Sequence, residues 1–423
     1  MKLSKKRLKK RVSFFDIKTL RFKGKCDITV YINKEVWKMK NKDIVMPNYE
    51  HCILGTITSI LKHYNVETKH KSSEKIDKIL SERNYRNIIF LMLDGLGEHI
   101  LNRISKDGYL NKNKIDCVTS VYPSTTTAAL TTYYSGCPPY ETGWIAWSQY
   151  FKEYGRTLDM LTHNESYMRE PLKEPLIDVF KTIVNYESVF YKIEKASPEV
   201  KAYELTKDYF WRRANRSINA NDIDELIMNI KDLCTMPDKK FIFAYSDNPD
   251  SLLHKHGTDS KEVEKFVKET EKKIQEMAES FDGDTLLIIS ADHGHKNIEK
   301  SYTLLDYPEI QECLILPAYL ESRVLTFWVK DNMKEIFVER FNKIFKEEFW
   351  LMTKEEFLNK YQFLGFGDKH PKIDDFIGDY MALSVAGSMI RIETFLAEGK
   401  PVKKSTHCGL TKDEMEVPVI AIY

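Results

Sequence analysis

Three stretches of this chain are apolar without interruption, and each stops abruptly at an acidic cluster. Ile88-Ile89-Phe90-Leu91-Met92-Leu93 runs into Asp94-Gly95, and Phe241-Ile242-Phe243-Ala244-Tyr245 into Ser246-Asp247-Asn248-Pro249-Asp250. Thr285-Leu286-Leu287-Ile288-Ile289-Ser290 likewise runs into Ala291-Asp292-His293-Gly294. A strand with one wet face alternates apolar with polar, so a run with no alternation predicts a strand buried on both faces, as in a parallel sheet covered by helices. Between the second and third runs, Val263, Phe266, Val267, Ile274 and Met277 recur at helical spacing among Lys and Glu, which completes a strand–helix–strand unit. The predicted class is α/β, with a mainly parallel central sheet flanked by helices. In open parallel sheets ligands gather at the carboxyl ends of the strands, and all three acidic clusters fall there.

The remaining segments arrange themselves around this core. A chain of 423 residues with 42% hydrophobic content can bury a large core, as one big domain with insertions or as two smaller ones. We expect a core of residues 86–301 and 369–423. Residues 302–368 change texture, with a strand suggested from Arg323 to Lys330 and helices from Met333 to Phe349 and Lys354 to Tyr361, so they are expected to form an inserted α+β cap or accessory lobe. Residues 1–85 are expected as an N-terminal extension packed on the core, with a short strand at Asp27–Tyr31 and helical spacing from Glu50 to His63.

Composition narrows the partners. Lys+Arg number 64 and Asp+Glu 63, so no net field recruits a nucleic-acid polymer or an anionic membrane. The basic start, Lys2 to Arg11, reads as a solvated terminus. No apolar signal-peptide core follows it, and no later apolar run reaches membrane-spanning length. The seven cysteines are odd in number, scattered and without CxxC spacing, which argues against a disulfide framework and a thiolate zinc site. A cytoplasmic location is the expectation.

Each polar cluster has a structural and a chemical reading. Asp94 before Gly95 is either a turn residue or a carboxylate with room beside it for an ion. Tyr122-Pro123-Ser124-Thr125-Thr126-Thr127 is a hydroxyl-dense turn running into a helix expected to end near Gly136. Its hydroxyls either cap that helix or supply one nucleophile beside a cation, with free N–H groups to hold an anion. Asp250 and His254 stand four apart, on one helical face, and can grip a single ion. Asp292-His293 can converge on an ion if the chain turns sharply, as Gly294 permits, and His407 sits just before the apolar stretch Val417 to Ile422. Three Asp and three His at strand ends or loops suit two divalent cations, zinc first and manganese second.

Together these segments resemble the alkaline phosphatase superfamily, specifically its type I phosphodiesterase/nucleotide pyrophosphatase group. The matching segments are Leu93-Asp94-Gly95, Pro123-Ser124-Thr125-Thr126, Pro249 to Gly257, Ser290 to Gly294, and His407-Cys408-Gly409-Leu410-Thr411, in the order that family has them. The resemblance implies an alkaline phosphatase-like fold and hydrolysis of a small phosphoester through a phospho-threonine. It implies that Asp94, Asp292 and His293 hold one metal with Thr126, three residues after Pro123, as nucleophile beside it. Asp250, His254 and His407 would hold the other. His256 and His295 lie outside that pattern and stay substrate-side or without a role, while His370 and Asp379 are expected to be structural. One departure stands out: pyrophosphatases of the group carry an asparagine after the nucleophile that contacts the phosphoryl oxygens, and Ala129 occupies that place. Backbone N–H groups, Tyr122 or Trp144 are the candidate substitutes. Trp144, Trp147, Tyr150 and Phe151 either pack the core or line an apolar slot for a base or lipid group. The alternatives are a phosphomonoesterase on the same core and a catalytically silent binding protein.

Overall fold

The computed structural model describes residues 43–166, 179–207, 213–392 and 403–423. The basic start and the strand expected at Asp27–Tyr31 lie outside them. The three uninterrupted apolar runs are strands, Asn87–Leu93, Lys239–Ser246 and Thr285–Ser290, and they sit side by side in the middle of one seven-stranded sheet. Asn87–Leu93 is buried along its whole length and runs parallel to both neighbours, with Leu93 beside Ser246 and Met92 beside Ser290. That register makes the three chains leave the sheet at one edge. Val200–Thr206 and Arg216–Asn219 extend the sheet in parallel beyond Lys239–Ser246. The helix Lys261–Ala278 starts at Ser260, whose side chain accepts from Val263 N, and buries Val263, Val267, Ile274 and Met277.

The other flank explains how His407 and the hydroxyl-rich turn reach the same edge. Glu416–Ile422 inserts antiparallel between Thr285–Ser290 and Lys114–Thr119, pairing Val419 with Ser290 and Glu416 with Thr119. Because it runs the opposite way, its first residues lie at the carboxyl edge of the parallel strands, and the loop preceding it is delivered there. Thr119 ends at the same edge and leads into the helix Thr126–Ser135, closed by Gly136 in the left-handed region at φ +71°.

Helices Ile53–His63 and Glu74–Glu82 feed Ile53, Leu54, Ile57, Ile60, Ile76 and Leu80 into the main core. A second, antiparallel sheet has the order Tyr319–Leu320, Val324–Phe327, Tyr380–Ser384, Phe349–Thr353, with Phe337, Phe341 and Phe345 of the helix Lys334–Phe345 packed in its own core. One of its inner strands thus comes from beyond residue 368. Phe349 continues the four-residue spacing of Phe341 and Phe345, which made the helix look longer, yet it opens a strand and pairs with Ser384. Among the described residues no helix is long and apolar enough to cross a membrane.

Candidate functional site

All seven residues singled out as nucleophile or ligands meet at this edge. Asp94 follows Asn87–Leu93, and Gly95 at φ +76° turns the chain so closely past Asp250 that a Cβ would lie 3.0 Å from its Cα. Asp250 opens the helix Asp250–His256, which puts His254 one turn on. Gly294 has a different role from the one expected. A Cβ there would come within 2.0 Å of the Asp413 carbonyl oxygen, so close backbone packing rather than a sharp turn requires glycine.

Around Asp94 the donors are mostly oxygen. Thr126 Oγ1 lies 3.3 Å from Asp94 Oδ2 and 3.3 Å from His293 Nε2. Tyr245 Oη donates to the same Asp94 oxygen at 2.5 Å. Asp292 Oδ1 accepts from the Gly95 and His293 N–H groups, at 3.0 and 2.9 Å. The remaining oxygens, Asp94 Oδ1 and Asp292 Oδ2, are buried with no hydrogen-bond partner. Burial, and then the charges of Asp292 and Asp250, push the Asp94 carboxyl well above the usual carboxylate range. Unpartnered buried carboxylate oxygens in so negative a place call for a cation. The residues present therefore fit a metal ion, and the ligand atoms of Asp94, Asp250 and His293 all lie within 4.8 Å of one another.

Around Asp250 the donors are mostly nitrogen. His295 Nε2 is 2.7 Å, His254 Nε2 3.4 Å and His407 Nε2 3.7 Å from Asp250 Oδ1. These four side chains form a second group that fits a metal ion. Burial pushes Asp250 up, but the imidazoles outweigh it and hold the carboxyl well below its ordinary range. Burial chiefly lowers His254 to about 3 and His407 well below an ordinary histidine. Asp250 lies between the two groups and belongs to both.

The loop bearing His407 is fastened to the second sheet. The buried Arg323 guanidinium makes a two-pronged bond to Glu414, at 2.7 and 2.6 Å, and Glu414 also accepts from Gly409 N at 2.7 Å. Sequence reasoning missed this pair, Tyr245 and Glu321. Glu321 Oε1 accepts from Thr125 Oγ1 and from Trp147 N, both at 2.8 Å, and burial pushes its carboxyl up. Only three-dimensional proximity marks these residues, since none stands in a motif. His295 is the exception: its signal was its spacing, two residues after His293.

Other expectations resolve individually. Ala129 is fully buried in the core. Trp144 is no substitute donor for a ligand here, because its Nε1 donates to Val184 O at 2.7 Å, and both it and Phe151 are buried. Tyr122 is fully buried, and its hydroxyl has no hydrogen-bond partner. Trp147 is 38% exposed beside the Thr125–Glu321 bond. His370 and Asp379 tie loops together, Asp379 by accepting from Val329 N at 2.9 Å. His256 approaches Glu262 at 3.9 Å and belongs to neither group. Six described cysteines are free. Cys137 does approach His70 and Glu141, but its thiol is pushed up to about 11, mainly by burial, and Glu141 is already 3.2 Å from the His70 ring.

Comparison with known proteins agrees with this geometry. No curated protein sequence matches the chain. Among solved structures, murine ectonucleotide pyrophosphatase/phosphodiesterase 5 superposes with a TM-score of 0.58 at 14% identity, covering 78% of this chain and 87% of that one. An inactive variant of the murine protein, in complex with AMP, gives 0.57 at 14% identity over the same shares. The human protein of the same name gives 0.58 at 13% identity, over 79% and 87%. At such identities the likeness establishes the alkaline phosphatase-like fold. A family model described as type I phosphodiesterase / nucleotide pyrophosphatase matches residues 88–390, well over half the chain, and the chain therefore belongs to that metal-dependent family of phosphoric ester hydrolases.

Proposed function

We propose that this enzyme is a phosphodiesterase or nucleotide pyrophosphatase acting through a covalent phosphoryl group on Thr126, with two divalent cations, zinc first and manganese second. The observation that carries the reading is the Thr126 hydroxyl, buried at a helix start and 3.3 Å from both Asp94 and His293, beside two unpartnered carboxylate oxygens. Asp94, Asp292, His293 and Thr126 would hold one cation, and Asp250, His254 and His407 the other. Bound there, two cations would supply charge neutralisation for the attacking and departing oxygens of an in-line displacement.

The chain's own residues do the rest. Asp94 Oδ2 is the acceptor in reach of the Thr126 proton; His293 Nε2, also at 3.3 Å, would have its one lone pair on the cation. Oγ1 then attacks phosphorus, forming the P–Oγ1 bond as the bond to the leaving oxygen breaks and that oxygen keeps the electron pair. Water attacks in the second half, the P–Oγ1 bond breaks, and Thr126 regains its proton. The first-turn N–H groups of Thr126, Thr127 and Ala128 have no intrahelical acceptor by position, so they are free to hold the phosphoryl oxygens that Ala129 cannot contact. Exposed Trp147 offers a surface for the leaving group.

The same reading assigns residues 86–301 and 369–423 to the catalytic core and 302–368 to an inserted lobe whose sheet takes in Tyr380–Ser384 from the returning segment, and the six described free thiols support a cytoplasmic location. The test is turnover of p-nitrophenyl phosphate, bis-p-nitrophenyl phosphate and a nucleotide phenyl ester by metal-stripped protein, repeated with zinc and with manganese restored. Metal-dependent preference for the diesters is expected. Preference for the monoester makes the enzyme a phosphatase, the reading that Ala129 favours, and absence of turnover with either metal sinks both.

A further inference from the structure

The group around Asp250 contains one imidazole more than the family resemblance uses. We infer that His295 is a fourth ligand of the cation held by Asp250, His254 and His407, so that the chain alone supplies three nitrogens and one oxygen to that ion. The inference rests on the two-cation reading above.

The argument runs through the outward nitrogens. The Ser405 hydroxyl gives its one proton to Leu253 O at 2.6 Å, so at 3.0 Å from His295 Nδ1 its oxygen can only accept. His295 therefore carries its proton on Nδ1. His254 Nδ1 lies 2.8 Å from Ser405 O, and a carbonyl oxygen accepts, so that ring is fixed in the same tautomer. His407 Nδ1 lies 3.1 Å from Ser124 O and 3.0 Å from Cys408 Sγ, and donation to the carbonyl gives it that tautomer too. The ammonium of Lys403, 3.0 Å from His254 Nε2, agrees, since a lysine donates and Nε2 must then accept.

Three inward Nε2 lone pairs thus face the negative Asp250 Oδ1, at 2.7, 3.4 and 3.7 Å. Electron pairs converging on a carboxylate repel unless a cation lies among them. With the Lys403 ammonium at the His254 pair, a proton on His295 would satisfy a second pair and leave that of His407 facing the carboxylate. The three separations bracket the ~3.3 Å between neighbouring ligands of a tetrahedral ion with bonds of ~2.0 Å. The Nδ1-to-oxygen bonds are the outer contacts that orient ligating imidazoles. Four protein ligands close the site in the manner of a structural zinc, whereas the Asp94 group keeps Thr126 and hence a reacting position. Leaving oxygens would then reach this second ion only by adding a fifth ligand.

The experiment loads metal-free protein, labelled with nitrogen-15 histidine, with cadmium-113 and counts the imidazole nitrogens coupled to each cadmium resonance. The expected result is one cadmium coupled to three imidazoles, falling to two in His295→Gln, whose zinc affinity drops at least about tenfold in competition dialysis. Two coupled imidazoles in the wild-type protein overturn the assignment and leave His295 as a hydrogen-bond partner of Asp250; this holds even if the variant does not fold. Three coupled imidazoles without ester hydrolysis would keep the ligand and remove the reaction, so the two readings fall separately.

Discussion

The Asp94 and Asp250 groups are built from different donors and by different parts of the fold. The first gathers carboxylates and a hydroxyl with one imidazole, and its like charges help push Asp94 up. The second gathers three imidazoles around one carboxylate, which they hold down. Asp94 and Asp292 leave adjacent strands in parallel register, whereas the Asp250 group joins a short helix to a loop tied to another sheet through Arg323 and Glu414. The Thr126 hydroxyl is carried by neither strand: it opens the helix Thr126–Ser135 and meets Asp94 and His293 at 3.3 Å.

The largest effect should come from removing that hydroxyl. Thr126→Ala should cut diester turnover on the order of a thousandfold or more, because a covalent route loses its nucleophile. Both cadmium resonances should survive in the variant, since carboxylates and imidazoles remain. Turnover near that of the wild type would sink the assignment of Thr126, and with it the division of labour between the groups.

Next in size is the fastening of the imidazole group. Arg323 and Glu414 are both fully buried, so Arg323→Ala leaves an uncompensated carboxylate and should cost about 3–5 kcal/mol of stability by denaturant melting. Zinc affinity at the Asp250 group should fall before that at the Asp94 group, because only the former takes His407 from this loop. Equal weakening of both would mean that the loop is anchored elsewhere.

These contrasts mark what the sequence could carry. The strands Asn87–Leu93, Lys239–Ser246 and Thr285–Ser290 were legible because burial on both faces leaves an unbroken apolar run, and Asp94, Asp250 and Asp292 because they end those runs. The antiparallel insertion of Glu416–Ile422 was not legible, as an apolar stretch does not state which way it pairs. Nor was the strand Tyr380–Ser384 as part of the second sheet, since its partners lie up to some sixty residues away in the chain. Tyr245 was read as sheet core, and a strand residue's face is fixed only when its neighbours are known. His295 was visible as a histidine near a ligand, but its weight depends on Ser405, 110 residues on.

Tyr245 sharpens the comparison at a smaller scale. Tyr245→Phe removes a donor from the crowded Asp94 oxygen, and a hydrogen bond to a charged group contributes about 1.5–3 kcal/mol. We expect kcat/KM to fall roughly tenfold to a hundredfold while the cadmium signal of the Asp250 group stays put. The bond favours ionised Asp94, so its loss raises the carboxyl further. Activity that needs the carboxylate is then lost at higher pH as acid is added, and the acidic limb of the pH profile moves up.

The smallest effect should appear where neither group is touched. Trp147 is tethered through its own backbone N–H to Glu321, and Glu321 to Thr125, the residue before Thr126. Its ring is 38% exposed, unlike buried Trp144 and Phe151. Trp147→Ala keeps the tether and removes only the ring, so a stacking contribution of about 1 kcal/mol predicts a rise of several-fold in KM for a nucleotide phenyl ester. The kcat for that ester and both cadmium resonances should hold. A fall in kcat of equal size would place the ring in the transition state instead, and the Thr125–Glu321–Trp147 chain would then belong to the Asp94 group rather than to the binding surface beside it.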